Sequence, residues 1–157
     1  MLSARLVRMI EDHAEQLTRS FVHDLQSNTQ TPSYHHLSHE ALHRRVFDVY
    51  RNLGHWLGRK TDEALEAAYK ELGKQRAAEG IPLNEVVYAL ILTKYHLRDY
   101  IRSAGLVDSA VELYQEQEFH RLVGHFFDLA IYHTVKGYER EAALGRASSA
   151  SAPAHRS

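Results

Sequence analysis

Apolar residues recur three or four positions apart along nearly the whole chain, and no stretch alternates apolar and polar residues as a half-buried strand does. Spacing of three to four residues places side chains on one face of an α-helix. Five segments show this spacing, at about residues 3–26, 38–58, 61–80, 82–105 and 108–143. Their connections are short, so the pattern predicts an all-α protein with a single bundle of about five helices.

The clearest break between two helices is Gly80-Ile81-Pro82. Glycine is the usual residue just past a helix C-terminus, and proline is well tolerated in a first helical turn. This segment therefore predicts that one helix stops at Gly80 and the next starts at Pro82. We expect one helical domain over residues 1–143, followed by a flexible, low-complexity tail over residues 144–157.

Composition excludes several classes of function. The 157 residues carry a formal net charge of -1, which argues against nucleic-acid binding. We expect Arg44-Arg45 and Arg59-Lys60 to be pairs on solvated helix faces. With no cysteine, the chain has neither disulfides nor thiolate chemistry. No apolar run approaches the roughly 18 residues that cross a bilayer, so we expect a cytoplasmic protein that binds no membrane.

Catalytic motifs are missing from the sequence. It has no Gly-x-Ser-x-Gly motif, no glycine-rich phosphate loop after a strand, and no residue set that offers a paired acid and base. We therefore expect that the protein is not an enzyme.

Histidine is abundant, with 12 residues, and two arrangements could bind a metal or a haem. His35, His39 and His43 are spaced by four residues, and Glu40-x-x-His43 matches one unit of a di-iron bundle, which needs two such units. We expect these histidines to be exposed, with a metal site as the alternative. His133 lies on the apolar face of the last helix. We expect a hydrogen-bonded core histidine there, with haem ligation as the alternative.

Three basic residues lie toward apolar helix faces. Lys94 and Arg98 share a face with Leu90 and Leu97, and Arg76 points inward one turn before Gly80. Long basic side chains can extend along apolar surface so that their charges reach water. The alternative is a buried polar network, or an anion-binding site at which Arg76, Lys94 and Arg98 converge.

The segment Leu72-Gly73-x-x-Arg76-Ala77-x-x-Gly80-Ile81-Pro82-Leu83-x-Glu85-Val86-Val87-x-Ala89-Leu90 resembles the N-terminal domain of RsbRD-type RsbT co-antagonists. The resemblance covers most of residues 5–140. It implies an all-helical, non-enzymatic module of stress signalling, often dimeric, that relays a signal to an output domain. No output module follows the last helix here, so we expect a separate output protein.

The same region is also similar to the surroundings of the proximal histidine in sensor globins, with Arg76 in place of that histidine. Both resemblances are compatible with globin-like or four-helix-bundle-like packing. We expect a signalling module, a homodimer without a cofactor, that acts through protein–protein contacts. The alternative is a haem- or metal-binding bundle that uses His133 or the three spaced histidines.

Overall fold

The computed structural model describes residues 3–58, 62–104 and 109–150, and these parts of the chain are all-helical, with no strand. The helices are α1 (Ala4–Asp12), α2 (Ala14–Ser27), a 3₁₀ helix (Pro32–His36), α3 (His39–Arg51), α4 (Leu53–Gly58), α5 (Asp62–Ala78), α6 (Leu83–Ser103) and α7 (Ala110–Ala150). The predicted all-α class is confirmed. The helix boundaries expected at Thr61, Gly105 and Asp108 lie outside the described residues, as do residues 151–157.

The described residues form seven α-helices, whereas the periodicity predicted about five. Two of the predicted helices are each divided in two. At His13 the backbone leaves helical geometry (φ -109°, ψ 17°), and the ring Nδ1 is 2.8 Å from the Met9 carbonyl oxygen. At Asn52 the side-chain amide donates to the Asp48 carbonyl oxygen at 3.0 Å. At both residues the backbone N–H also donates to the same carbonyl oxygen, so the side-chain contacts accompany the breaks without replacing the backbone hydrogen bonds.

The longest helix, α7, continues to Ala150, seven residues past the end expected near 143. The segment after Tyr138 is rich in alanine, glutamate and arginine, which all have high helix propensity. Gly145 lies inside the helix, where glycine costs about 1 kcal/mol relative to alanine. The surrounding residues outweigh that cost.

Helices α5 and α7 pack closely because each has a glycine at their contact. A Cβ atom added to Gly73 would lie well under 3.0 Å from the carbonyl oxygen of Thr134, and one added to Gly137 would lie equally close to the carbonyl oxygen of Lys70. Any side chain at these two positions would push the helices apart. The backbones of α5 and α7 therefore touch directly.

The turn between α5 and α6 has the hydrogen bonds of a Schellman motif. Gly80 has a positive φ of 74°. Its N–H donates to the Ala77 carbonyl oxygen at 3.1 Å, and the Ile81 N–H donates to the Arg76 carbonyl oxygen at 3.0 Å. The Tyr138 hydroxyl donates to the Ile81 carbonyl oxygen at 2.6 Å, which attaches the turn to α7. The predicted helix stop at Gly80 is confirmed, and α6 begins directly after Pro82.

The buried apolar side chains form two clusters. The larger cluster joins α1 and α2 to α3–α7, and Tyr50, Leu53, Phe119 and Phe127 are among its most buried members. The smaller cluster joins α2, α3, α6 and the 3₁₀ helix. It consists of Phe21, Val22, Leu25, Tyr34, Leu42, Ile81, Val86 and Ala89. Full burial of one such side chain contributes about 1.5–3 kcal/mol. Within the described residues, no helix combines the length and the apolar character that crossing a membrane requires.

Candidate functional site

An apolar cavity of about 50 Å³ lies where the two clusters meet. Side chains from α2, α3, α5, α6, α7 and the 3₁₀ helix line it. Its apolar lining consists of Phe21, Leu25, Leu42, Val46, Val49, Leu72, Val86, Ala89, Leu90 and Phe127. An apolar cavity of about 150 Å³ can bind benzene. This cavity therefore has room for a considerably smaller apolar group.

Arg76 brings a positive charge to the cavity wall. It belongs to the last turn of α5, and only 8% of its surface is exposed. Its Nη1 donates to both carboxylate oxygens of Glu79 at 3.1 Å, and its guanidinium carbon lies 5.4 Å from the ring centroid of Tyr34. Its Nε is buried and has no hydrogen-bond partner among the described residues. A buried N–H without a partner is costly, so this atom is a candidate contact for a ligand.

Arg45 supplies a second positive charge to the same wall. It belongs to α3, it is half-buried, and its Nη2 donates to the side-chain oxygen of Gln75 at 2.9 Å. Burial lowers the pKa of Arg45, and the charge of Arg76 lowers it further. An arginine remains charged at neutral pH even so. Both guanidinium groups line this end of the cavity, and the carboxylates of Glu79 and Asp48 lie near them on its outer side.

The polar wall also includes two tyrosines, Tyr34 and Tyr69. Burial raises the pKa of both phenols, and for Tyr34 the charge of Arg76 opposes that rise. At neutral pH both therefore keep their O–H groups. Thr93 completes the polar lining, but its hydroxyl already donates to the Ala89 carbonyl oxygen at 2.8 Å.

The 3₁₀ helix that carries Tyr34 is held in place by two neighbouring helices. The carboxylate of Glu85, in the first turn of α6, accepts from the Ser33 N–H at 2.8 Å and from the Ser33 hydroxyl at 2.7 Å. The Gln26 amide of α2 donates to the carbonyl oxygens of Tyr34 and Leu37 at 3.3 and 3.0 Å. These bonds fix the position of the Tyr34 ring under the Arg76 guanidinium.

The cavity adjoins an open groove on the outside of the bundle. Arg45, Val49, Tyr69 and Arg76 line both. The groove adds Arg44 and Asp48 from α3, Gln75 from α5, and Glu79 just after the end of α5. The apolar cavity thus meets a polar, solvent-facing groove at the two arginines.

The structure places the three predicted basic residues at different points. Arg76 lines the cavity, whereas Lys94 and Arg98 lie farther along α6 and do not line it. The Lys94 ammonium lies 5.4 Å from the ring centroid of Tyr95. Arg98 is half-buried, and its Nε has no hydrogen-bond partner in the part of the chain that is described. A site shared by all three residues stays a prediction.

His133 lies on α7, is half-buried, and packs edge-on against Tyr132 with ring centroids 5.2 Å apart. Its Nδ1 is buried, and no partner for it is found among the described residues. The hydrogen bond expected for a core histidine is therefore not seen at this atom. His133 does not line the cavity, and a cavity of about 50 Å³ is far smaller than a porphyrin. A haem in this cavity would require the helices to separate.

The three spaced histidines do not form one ladder, because His35 belongs to the 3₁₀ helix and the other two belong to α3. The His35 ring bonds the Asn28 carbonyl oxygen at 2.9 Å. His39 bonds the Gln26 side chain at 3.2 Å, and His43 bonds Glu15 at 3.1 Å. In residues 3–58, 62–104 and 109–150, no group of three histidine, aspartate or glutamate side chains is arranged to hold a metal ion.

The sequence pattern did not indicate that Arg45 and Tyr34 would line the candidate site. Arg45 was expected on a solvated face together with Arg44, but only Arg44 is exposed. Adjacent helical residues point about 100° apart, so one arginine of the pair faces outward and the other faces inward. The position of Arg45 between Leu42 and Val49 on the buried stripe was a usable signal. Arg59 and Lys60 lie outside the described residues.

Comparison with known proteins identifies a family. The description of the family that matches is RsbT co-antagonist protein rsbRD N-terminal domain, and the match covers residues 15–151. No curated protein and no solved structure shows a significant match. The matched region includes α2 to α7, and with them the cavity, both arginines and the turn at Gly80. The chain therefore belongs to the family of RsbT co-antagonist rsbRD N-terminal domains.

Proposed function

We propose that this chain is a non-enzymatic, cytoplasmic stress-signalling module that passes its signal to a separate output protein by direct contact. The observation that carries the proposal is the family match over residues 15–151. The family description names a co-antagonist of RsbT. A protein of that kind acts on other proteins, so the output partner is an RsbT-type protein or another co-antagonist.

The outer face of α7 is the surface that we propose for self-association into a homodimer. Val111, Tyr114 and Tyr132 are 61%, 64% and 55% exposed. Tyr114 and Tyr132 are 18 residues apart, which is five full helical turns, so they lie on the same line along the helix. Large exposed apolar residues on one face are typical of interaction surfaces.

Light scattering tests the homodimer. We expect a dimer for the wild-type chain and a monomer for the double variant Tyr114→Lys/Tyr132→Lys, because two ammonium groups on this face oppose its burial. Tyr95→Lys is the matched control, since Tyr95 is a 49% exposed tyrosine on α6. A wild-type chain that stays monomeric at all concentrations would exclude the dimer, and loss of the dimer in Tyr95→Lys would exclude the α7 face.

Direct binding tests the relay. The purified chain is immobilised, and RsbT-type proteins and co-antagonists encoded in the same genome are passed over it one at a time. We expect saturable binding to at least one of them. If none binds, either alone or in mixtures, the proposed relay through a separate output protein is wrong.

A further inference from the structure

We propose that the cavity binds a short-chain monocarboxylate, with its aliphatic tail among the apolar side chains and its carboxylate between Arg45 and Arg76. The inference rests on the proposed function, because a signalling module needs an input and a bound ligand would supply one. Binding itself can be measured without reference to any partner. Experiments can therefore reject the ligand proposal and the proposed signalling function independently of each other.

The size of the cavity sets the length of the tail. Benzene, with six carbon atoms, fits a cavity of about 150 Å³, or about 25 Å³ for each carbon. By this scale a cavity of about 50 Å³ holds about two carbon atoms. The tail of propionate has this length, and the tail of butyrate is one carbon longer. Leu25, Leu42, Val86 and Leu90 are among the side chains that the tail would contact.

The charges at the wall favour an anionic group. The charged side chains that line the cavity are Arg45 and Arg76, whereas the carboxylates of Asp48 and Glu79 lie in the adjoining groove. Arg76 donates from Nη1 to both carboxylate oxygens of Glu79, whereas its buried Nε has no partner in the described part of the chain. A carboxylate oxygen at Nε would satisfy that donor. Arginine is well suited to carboxylates because its planar fork presents two parallel N–H groups.

The arginines lie where the cavity meets the outer groove, so a carboxylate there remains close to water while the tail is buried. This arrangement selects against other ligands. A dicarboxylate would place its second charge among apolar side chains, which is costly without a partner. Inorganic phosphate has no tail to fill the cavity, and an alcohol has no charge for the arginines. A long fatty acid exceeds the available volume.

Isothermal titration of the whole chain tests the proposal with acetate, propionate, butyrate, hexanoate, butanol, succinate and phosphate at constant ionic strength. We expect saturable binding of propionate and butyrate, weaker binding of acetate, which lacks the tail, and of hexanoate, which is too long, and no measurable binding of the other three. Bound butyrate should also raise Tm, since a ligand of the folded state stabilises it. The absence of saturable butyrate binding, or equal binding of butanol, would overturn the proposal.

Adjacent arginines provide a matched pair of variants. Arg45→Gln is expected to weaken butyrate binding at least about tenfold, because a hydrogen bond to a charged group is lost. Arg44→Gln removes the same charge from an exposed neighbour and should change the affinity by less than about twofold. Equal losses in the two variants would show a general charge effect and would contradict the site.

A third variant removes the space instead of the charge. Ala89→Leu places a larger side chain in the cavity wall and should abolish butyrate binding, with folding checked by circular dichroism. Should it fail to fold, Val46→Leu at another lining position tests the same point. Undiminished binding in a folded variant would contradict the placement of the tail. If butyrate does not bind but an output protein does, the ligand proposal fails and the proposed function stands; the reverse result would reject the relay alone.

Discussion

Gly73 lies so close to α7 that a methyl group on its α-carbon would come well under 3.0 Å from the carbonyl oxygen of Thr134. Backbone atoms of a packed helix cannot move aside as the end of a flexible side chain can. We expect Gly73→Ala to lower the free energy of unfolding by about 1–3 kcal/mol, the usual cost of overpacking. Urea denaturation followed by circular dichroism measures it.

Gly124 provides the control for that substitution. It lies within α7, and a Cβ atom there would meet nothing within 4 Å. Gly124→Ala should therefore be neutral or stabilise the fold by up to about 1 kcal/mol, because alanine has the higher helix propensity. If the two glycine variants behave alike, the close approach of α5 and α7 is wrong.

The pair formed by Glu85 and Ser33 should contribute measurably to stability. Glu85 is only 5% exposed, and its carboxylate accepts hydrogen bonds from the backbone and the hydroxyl of Ser33. Glu85→Ala leaves these donors without an acceptor, and we expect a loss of about 1–3 kcal/mol. A double-mutant cycle with Ser33→Ala should show a coupling energy of about 0.5–3 kcal/mol. Additive effects would mean that the two side chains do not interact.

His96 should make stability depend on pH in the mildly acidic range, below about 6.5. Burial lowers the pKa of His96, against the opposing charges of Asp24 and Asp99. Its Nδ1 lies 3.3 Å from the hydroxyl oxygen of Tyr50. The unfolded chain therefore binds a proton at His96 more readily than the folded chain does. The stability that the neutral His96 side chain contributes is present above the unfolded pKa of about 6.5. It is lost as pH falls through the lower folded pKa.

Comparison with His96→Gln isolates this effect. The difference in unfolding free energy between wild type and variant should shrink as pH is lowered from 7.5 to 5.0, since glutamine does not titrate. Chemical denaturation at several pH values provides the data. Parallel curves for the two proteins over that range would contradict the lowered pKa of His96.

Glu118 is expected to contribute stability that acid removes. Its carboxylate accepts from the Ser3 N–H at 3.1 Å and from the Ser3 hydroxyl at 2.9 Å. These two hydrogen bonds lower the pKa of Glu118. Their contribution is present above the ordinary glutamate pKa of about 4.3 and is lost as pH falls through the lower folded value.

The measurement is the difference in Tm between wild type and Glu118→Gln. It should be larger at pH 7 than at pH 3, because the wild-type carboxyl takes up its proton as pH falls. Glu139→Gln, at an exposed position of the same helix, should leave Tm nearly unchanged at both pH values. A Tm difference for Glu118→Gln that is constant with pH would show that ionisation is not involved.

Helix class and the turn at Gly80 could be predicted from the sequence because both depend on residues close together in the chain. Periodicity also placed Arg76 inward, and it is buried. The breaks at His13 and Asn52 were missed, and hydrogen bonds from side chains to helix carbonyls accompany them. Periodicity does not register such bonds.

The candidate site was harder to predict because it joins residues far apart in the chain. Tyr34 lies in a short 3₁₀ helix without a periodic pattern, and its burial depends on the bonds from Ser33 to Glu85, 52 residues away. Arg45 comes near Arg76 only in the folded bundle, where its side chain reaches Gln75 of α5. The sequence places Lys94 and Arg98 toward an apolar helix face, as it does Arg76. In the fold, however, they lie farther along α6 and do not line the cavity.

The hydrogen bond from the Tyr138 hydroxyl to the Ile81 carbonyl oxygen joins α7 to the turn between α5 and α6. Beyond this anchor the helix continues for 12 residues to Ala150, a distance of about 18 Å at 1.5 Å per residue. A tilt of about 10° at Tyr138 would move the far end by about 3 Å over such a length. Any displacement of the turn at Gly80 that tilted α7 at Tyr138 would therefore move the exposed last turns of α7 farthest.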